Sequence, residues 1–256
     1  METIEVSRSE GVVTIAMNRP AKKNAVNSAM WDELLTAFRE VNDNPDDRVL
    51  VLTGAGGEFC SGADLTDDAR PAGGSLGSMR HVADVILTLH RMAKPTIAKV
   101  FGVAAGVGCN LALGCDLIVA GESARFSEIF ARRGLSLDGG GSWLLPRLIG
   151  LHKAKELAFF ADVISSAEAE RFGLVNHVVA DADLDKFVDE WAARLTQLPP
   201  IALSMTKTML NNSLMTSMDQ ALEDEARSQS VNFSTQDTVE AMRAFVTKTT
   251  PTFKGR

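Results

Sequence analysis

Two glycine-flanked segments and one aspartate carry the residue types in this chain that could do chemistry. The first segment is Gly57-Glu58-Phe59-Cys60-Ser61-Gly62-Ala63-Asp64-Leu65, and the second runs from Gly102 to Asp116 through Gly106-Val107-Gly108-Cys109-Asn110. The aspartate is Asp138, between Leu137 and the run Gly139-Gly140-Gly141-Ser142. Two tight backbone turns can aim two N–H groups at one oxygen, which stabilises an enolate or another oxyanion. A carboxylate beside them can move a proton, and burial would raise its pKa into a useful range. The pattern therefore suits enolate chemistry on a thioester. Plainer readings stand beside it. The glycine segments also fit ordinary strand-to-helix turns, and Asp138 also fits an N-cap for a helix beginning near Ser142.

Other chemistries find less support. A dinucleotide fingerprint needs G-x-G-x-x-G, but Phe59 and Leu111 stand where the third glycine belongs. His81, His90, His152 and His177 have no metal-ligand spacing, and Cys109 and Cys115 do not form C-x-x-C, so no metal is expected. There is no G-x-S-x-G elbow. Met205, Met209, Met215 and Met218 suit packing on helices, and Ser165-Ser166-Ala167-Glu168 reads as a helix cap.

The elements that must position these residues follow from hydrophobic patterning. Val12 to Met17 reads as a strand ended by Asn18-Arg19-Pro20. Met30, Leu34, Phe38 and Val41 share one face of a helix. Val49-Leu50-Val51-Leu52 reads as a strand buried on both faces, directly before the first glycine segment. Thr66 to Ser78 reads as a mobile loop, and a helix is expected from about Met79 to Met92. Thr96 to Val100 is a strand before the second glycine segment, and Asp116 to Ala120 is the next. Strand, glycine turn and helix thus recur at roughly 45–50 residues, a weak ββα repeat of an α/β spiral. Beyond Leu198-Pro199-Pro200 only helices are expected: Ser204 to Asn211, Ser217 to Phe233 and Gln236 to Phe245. The implied division is a core over 1–198 and a helical region over 199–256.

Composition narrows the class. With 256 residues, 45% hydrophobic and 23% charged, the chain is ordinary for a globular enzyme with a full core. A formal net charge of −7 gives a nucleic-acid role no electrostatic support. Three cysteines and an acidic start, Met1-Glu2-Thr3-Ile4-Glu5, point to a reducing compartment without a signal peptide. No apolar run has the length of a membrane span. A cytoplasmic protein without membrane association is the expectation.

Several strings resemble the enoyl-CoA hydratase/isomerase (crotonase) superfamily in order along the chain. Besides the two glycine segments they are Ile15 to Pro20, Asn24-Ala25-Val26-Asn27, Arg171 to Asn176, and Phe245 to Lys248. The resemblance implies a crotonase-like α/β spiral whose C-terminal helices assemble a homotrimer or a hexamer made of two trimers. It implies a coenzyme A thioester as substrate and no permanently bound cofactor. It places the two oxyanion N–H groups on Ser61 and Val107. It places the two glutamates of the family's hydratases at Asn110 and Phe130, neither of which takes a proton; Glu128, two positions away, is the alternative, or else a solvated or ion-paired residue. Asp138 then matches the carboxylate of double-bond isomerases, closest to those of phenylacetyl-CoA breakdown. For coenzyme A and substrate, the resemblance implies Arg19, Lys22, Ala25, Gly62, Ala63, Asp64, Leu65, Gly106, Gly108 and Phe130. It adds Phe245 and Lys248 from a neighbouring subunit. The expected activity is conversion of a 3-enoyl to a 2-enoyl thioester or a related isomerisation. Hydration of 2-enoyl-CoA, and a catalytically weak acyl-CoA-binding subunit, are the alternatives.

Overall fold

The computed structural model describes residues 1–67 and 74–256. The expectation of a mobile loop over Thr66 to Ser78 falls partly on 68–73, outside the described residues. Residues 74–78 of the expected loop are helical, because the following helix begins at Gly74.

Strands β1 (Ile4–Ser9) and β2 (Val12–Met17) form an antiparallel hairpin. Helix α1 (Ser28–Asp43) starts where the Asn27 side chain accepts the Met30 N–H, and it buries Met30, Leu34, Phe38 and Val41. Strand β3 (Val49–Gly54) then pairs parallel to β2. Helix α2 (Gly74–His90) leads to β4 (Thr96–Val100), β5 (Val103–Ala105) and the short α3 (Val107–Leu113). Next come β6 (Leu117–Gly121) and β7 (Arg125–Ser127), then α4 (Gly141–Ile149) and α5 (Leu151–Phe160). Strand β8 (Ile164–Ser165), α6 (Ser166–Phe172), β9 (His177–Val179) and α7 (Leu184–Thr196) follow. Ser165 and Glu168 form the expected capping box of α6. Helices α8 (Pro200–Asn212), α9 (Met218–Phe233) and α10 (Gln236–Thr247) end the chain, and no strand follows Val179 among the described residues.

A six-stranded sheet has the order β1-β2-β3-β4-β6-β9, and a three-stranded sheet has the order β5-β7-β8. Strands β4 and β6 of the large sheet are each followed by a short strand of the small sheet, β5 and β7. The even period expected from the sequence does not hold, because α3 has seven residues where α2 has 17. Strand β3 shows why its apolar run is continuous. Side chains alternate across a strand, so Leu50 and Leu52 enter the main core with α1 and α2. Val49 and Val51 face the other way, into a second core closed by Leu184, Val188 and Ala192 of α7.

The C-terminal helices are different. Helix α9 buries none of its residues, and Leu214, Met218, Phe233, Phe245 and Val246 are all exposed in a single chain. Helix α8 is tied to the core by Lys207, which pairs with Asp116 at 2.7 Å.

Candidate active site

The first glycine segment hangs on Asn24. That fully buried side chain donates to the carbonyls of Ala55 (2.9 Å) and Glu58 (2.6 Å) and accepts the Arg19 N–H at 2.9 Å. Glu58 joins this segment to the second. One of its oxygens accepts the Val103 N–H at 2.6 Å and the other pairs with Lys23 at 2.8 Å. The segments touch directly in a parallel bridge between Cys60 and Ala104. At Gly108 the helix itself comes close: a Cβ there would stand 2.4 Å from the Cys60 carbonyl oxygen. Only glycine lets α3 press onto the first segment in this way.

These contacts shape a cavity of about 450 Å³ lined by Ser61, Gly62, Ala63, Gly106, Val107 and Asp138. Its apolar wall includes Leu65, Ile129, Phe130, Leu135 and Val163. A larger cavity of about 640 Å³ lies among α2, α4 and α8 against His90, Trp143 and Lys207, and neither glycine segment reaches it.

The structure corrects one of the two expected oxyanion donors. The Ser61 N–H is not free, because it donates to the Lys23 carbonyl at 2.9 Å. The Ala63 N–H is the available one. Ala63 forms a parallel bridge with Val26, in which the Val26 N–H donates to Gly62 and the Asp64 N–H donates to Val26. That ladder uses the groups on either side of Ala63 and leaves its own N–H without an acceptor among the described residues. Val107 stands beside it on the same cavity. It is the first residue of α3, behind Gly106 at φ 53, and first-turn N–H groups have no partner within the helix. Gly106 takes the positive φ, so the valine sits in ordinary helical geometry.

Asp138 lines the cavity with its Oδ1 buried and unpartnered. It caps nothing: Gly140 precedes α4, and no side chain caps that helix. Burial pushes its carboxyl up to about 6. Its backbone is held from behind by Asn110, whose side-chain nitrogen donates to the Asp138 carbonyl at 2.9 Å and to Glu128 Oε2 at 3.3 Å. Asn110 and Glu128 are 0% and 2% exposed, and neither lines the cavity. Glu128 is thus neither solvated nor ion-paired, and it does not reach this cavity in place of a missing glutamate. Phe130, by contrast, does line the cavity, with its ring as part of the wall.

The residues expected at coenzyme A divide into two groups. Gly62, Ala63, Leu65, Gly106 and Phe130 line the cavity. Arg19 is committed inward: its guanidinium pairs with Asp64 at 2.8 Å and donates to the Ala25 carbonyl. Asp64 also accepts from the Thr66 hydroxyl at 2.7 Å, and Thr66 together with Arg19 holds its carboxyl down at about 2. Arg19, Ala25 and Asp64 therefore brace the turn that presents Ala63. Gly108 is buried against Cys60. Lys22 stays at the surface, 3.3 Å from the Thr66 hydroxyl. Phe245 and Lys248 do not line this cavity in a single chain. Cys60 and Cys115 are buried and their thiols are pushed up to about 12, so neither is a thiolate nucleophile. Among the described residues, no group of three His, Cys, Asp or Glu is placed to hold a metal ion.

Comparison with known proteins converges on one family. The enoyl-CoA hydratase/isomerase family model matches residues 7–256. A protein of Rhodobacter capsulatus named "probable enoyl-CoA hydratase" is 37% identical, covering 99% of this chain and 98% of that protein. The 1,2-epoxyphenylacetyl-CoA isomerase of Escherichia coli is 34% identical over 100% of both chains. The crystal structure of an enoyl-CoA hydratase from Bacillus anthracis superposes with a TM-score of 0.93 at 32% identity, over 100% of both chains.

Proposed function

This chain belongs to the enoyl-CoA hydratase/isomerase family, and from that premise we propose that it moves a carbon–carbon double bond within an acyl-CoA thioester. The Asp138 carboxylate takes a proton from the carbon between the thioester carbonyl and the double bond of a 3-enoyl group. The N–H groups of Ala63 and Val107 hold the oxygen as negative charge develops on it; loss of one such donor typically costs about 2.7–4 kcal/mol. Asp138 then returns the proton to the far end of the allylic system, giving the conjugated 2-enoyl thioester. Lys22, at the surface with the Thr66 hydroxyl beside it, is placed to meet the coenzyme A phosphates. We further propose that copies of the chain cover the exposed apolar residues of α9 and α10, in a homotrimer or two stacked trimers. Sedimentation of the intact protein as a monomer would count against this assembly.

The observation that carries the reaction is the makeup of the cavity wall. It holds one carboxylate with an unpartnered oxygen, and an aromatic ring where water-activating chemistry would need a second acid. Water addition needs groups to hold and deprotonate a water, and Asn110 and Glu128 stand behind the wall. Asp138→Asn tests the base. Asparagine keeps the size and leaves the Asn110 bond to the backbone carbonyl intact. Double-bond migration should fall at least about 10²-fold, while binding of a non-reactive acyl-CoA changes little. Unimpaired migration by a folded Asp138→Asn protein would remove Asp138 from the mechanism.

A further inference from the structure

Behind the cavity wall lies a second carboxylate that the reaction above does not use. Glu128 follows β7, and its neighbours Ser127 and Ile129 line the cavity while Glu128 itself is buried away from it. Its Oε2 accepts from Asn110, and the same nitrogen reaches the backbone of Asp138. The groups acting on it are Cys109 and Asn110 of α3 and Asp138 from the loop before α4. No cation is among them. Arg132 turns outward to Asp162 at 2.6 Å, and Arg133 is exposed at the cavity. From α4, Gly141 presents only backbone to Asn110, and from the small sheet the Ser127 hydroxyl donates to the Ala161 carbonyl at 3.3 Å. Three buried polar atoms here lack a partner: Asn110 Oδ1, Glu128 Oε1 and Asp138 Oδ1.

We infer that Glu128 works as an uncharged carboxylic acid, holding Asn110 and through it the backbone of Asp138, so that the two carboxyl groups carry a single negative charge when thioester binds. Glu128 is a positioning residue, and its role rests on Asp138 being the base. Two neighbouring carboxylates without a cation resist double ionisation. Burial first, and then the charge of Asp138, pushes Glu128 up to about 7, whereas burial alone raises Asp138 to about 6. Glu128 is the more deeply buried of the two, 2% exposed behind the wall, while Asp138 lines the cavity, so Asp138 ionises first. The enolate adds further negative charge against the Ala63 and Val107 N–H groups, and an ionised Glu128 behind them would oppose it. The productive state has Asp138 charged and Glu128 protonated. It forms as pH rises through the first ionisation and is lost through the second, both being properties of the pair.

The test is the pH dependence of kcat/KM for double-bond migration between about pH 5 and about pH 9, which reports ionisations of the free enzyme. Wild type should give a bell, falling about tenfold per pH unit beyond its descending midpoint. Glu128→Gln preserves the contact with Asn110 and cannot ionise. It should keep the ascending limb and lose the descending one. A descending limb unchanged in Glu128→Gln, or none in wild type, would overturn the inference. Infrared difference spectra give a second readout: wild type at neutral pH should show a buried carboxylic-acid carbonyl band that Glu128→Gln lacks, and its absence from wild type would equally overturn it. Asp138→Asn, run alongside, separates the two ideas. Normal migration in that variant would sink the base assignment itself, whereas an inactive Asp138→Asn beside an unaltered Glu128→Gln profile would sink only the role given to Glu128.

Discussion

Ionising a buried carboxyl group without a counter-ion is costly, and both Asp138 and Glu128 carry that cost in the folded chain alone. Glu128 rises from an ordinary 4.5 to about 7, so the folded protein holds this proton more tightly than the unfolded chain. The sign follows from linkage. Below pH 4.5 the residue is protonated in both states and costs nothing. Across the window from 4.5 to about 7 the unfolded state gains stability by ionising, and above it the whole penalty is present. Relative to wild type, Glu128→Gln should therefore melt higher at about pH 8 than its relative position at about pH 4 would suggest. A melting-temperature difference that stays constant between those conditions would contradict a buried, protonated Glu128. Legibility at this scale was uneven. Asp138 could be singled out only through the family resemblance, since an acidic residue before three glycines reads at least as well as a helix cap; in the fold no side chain caps α4. The Ser61 assignment failed because backbone donors are allotted by hydrogen-bond ladders, and residue identity says nothing about which N–H a neighbouring carbonyl has taken. Glu128 read either as a stand-in for the missing glutamate or as a solvated or ion-paired residue, because burial of a charge is invisible in composition.

At the scale of elements, the site depends on how closely α3 approaches the first glycine segment. Gly108 sets that distance, since a Cβ would stand 2.4 Å from the Cys60 oxygen and 2.7 Å from its sulfur. Gly108→Ala should push α3 outward and separate the Ala63 and Val107 N–H groups. Overpacking of this kind costs about 1–3 kcal/mol in stability. Losing one donor's geometry corresponds to about 10²–10³ in turnover. Turnover at the wild-type level in Gly108→Ala, with a lowered melting temperature, would show that the spacing is set elsewhere. Strands β3 and β4 and helix α1 were readable because their apolar patterns are long and unbroken. The short strands β5, β7, β8 and β9 were not, since two or three residues carry no period and their pairing is decided by the turn of the spiral around them. Helix α2 begins earlier than its apolar face suggested, because its first turn, Gly74-Ser75-Leu76-Gly77, is rich in glycine and its Leu76 is exposed.

Over the whole molecule, the same spiral supports more than one reaction, and the cavity decides which. The helices α8, α9 and α10 were legible from the loss of β-type runs after Pro199. That other copies cover the exposed apolar residues of α9 and α10 is a proposal resting on the family resemblance, because an apolar helix face looks alike whether it meets its own core or another copy. The relatives bear both hydratase and isomerase names, so the reaction rests on this chain's own residues: a free carboxylate at Asp138, an aromatic ring at Phe130, and Asn110 and Glu128 turned away from substrate. The most direct test is to give the wild-type protein matched 2-enoyl- and 3-enoyl-CoA thioesters and follow water addition and double-bond migration separately. The account predicts conversion of the 3-enoyl to the 2-enoyl thioester at an enzymatic rate, with little or no 3-hydroxyacyl product. Hydration of crotonyl-CoA at the roughly 10 s⁻¹ of an ordinary enzyme, without migration, would contradict it.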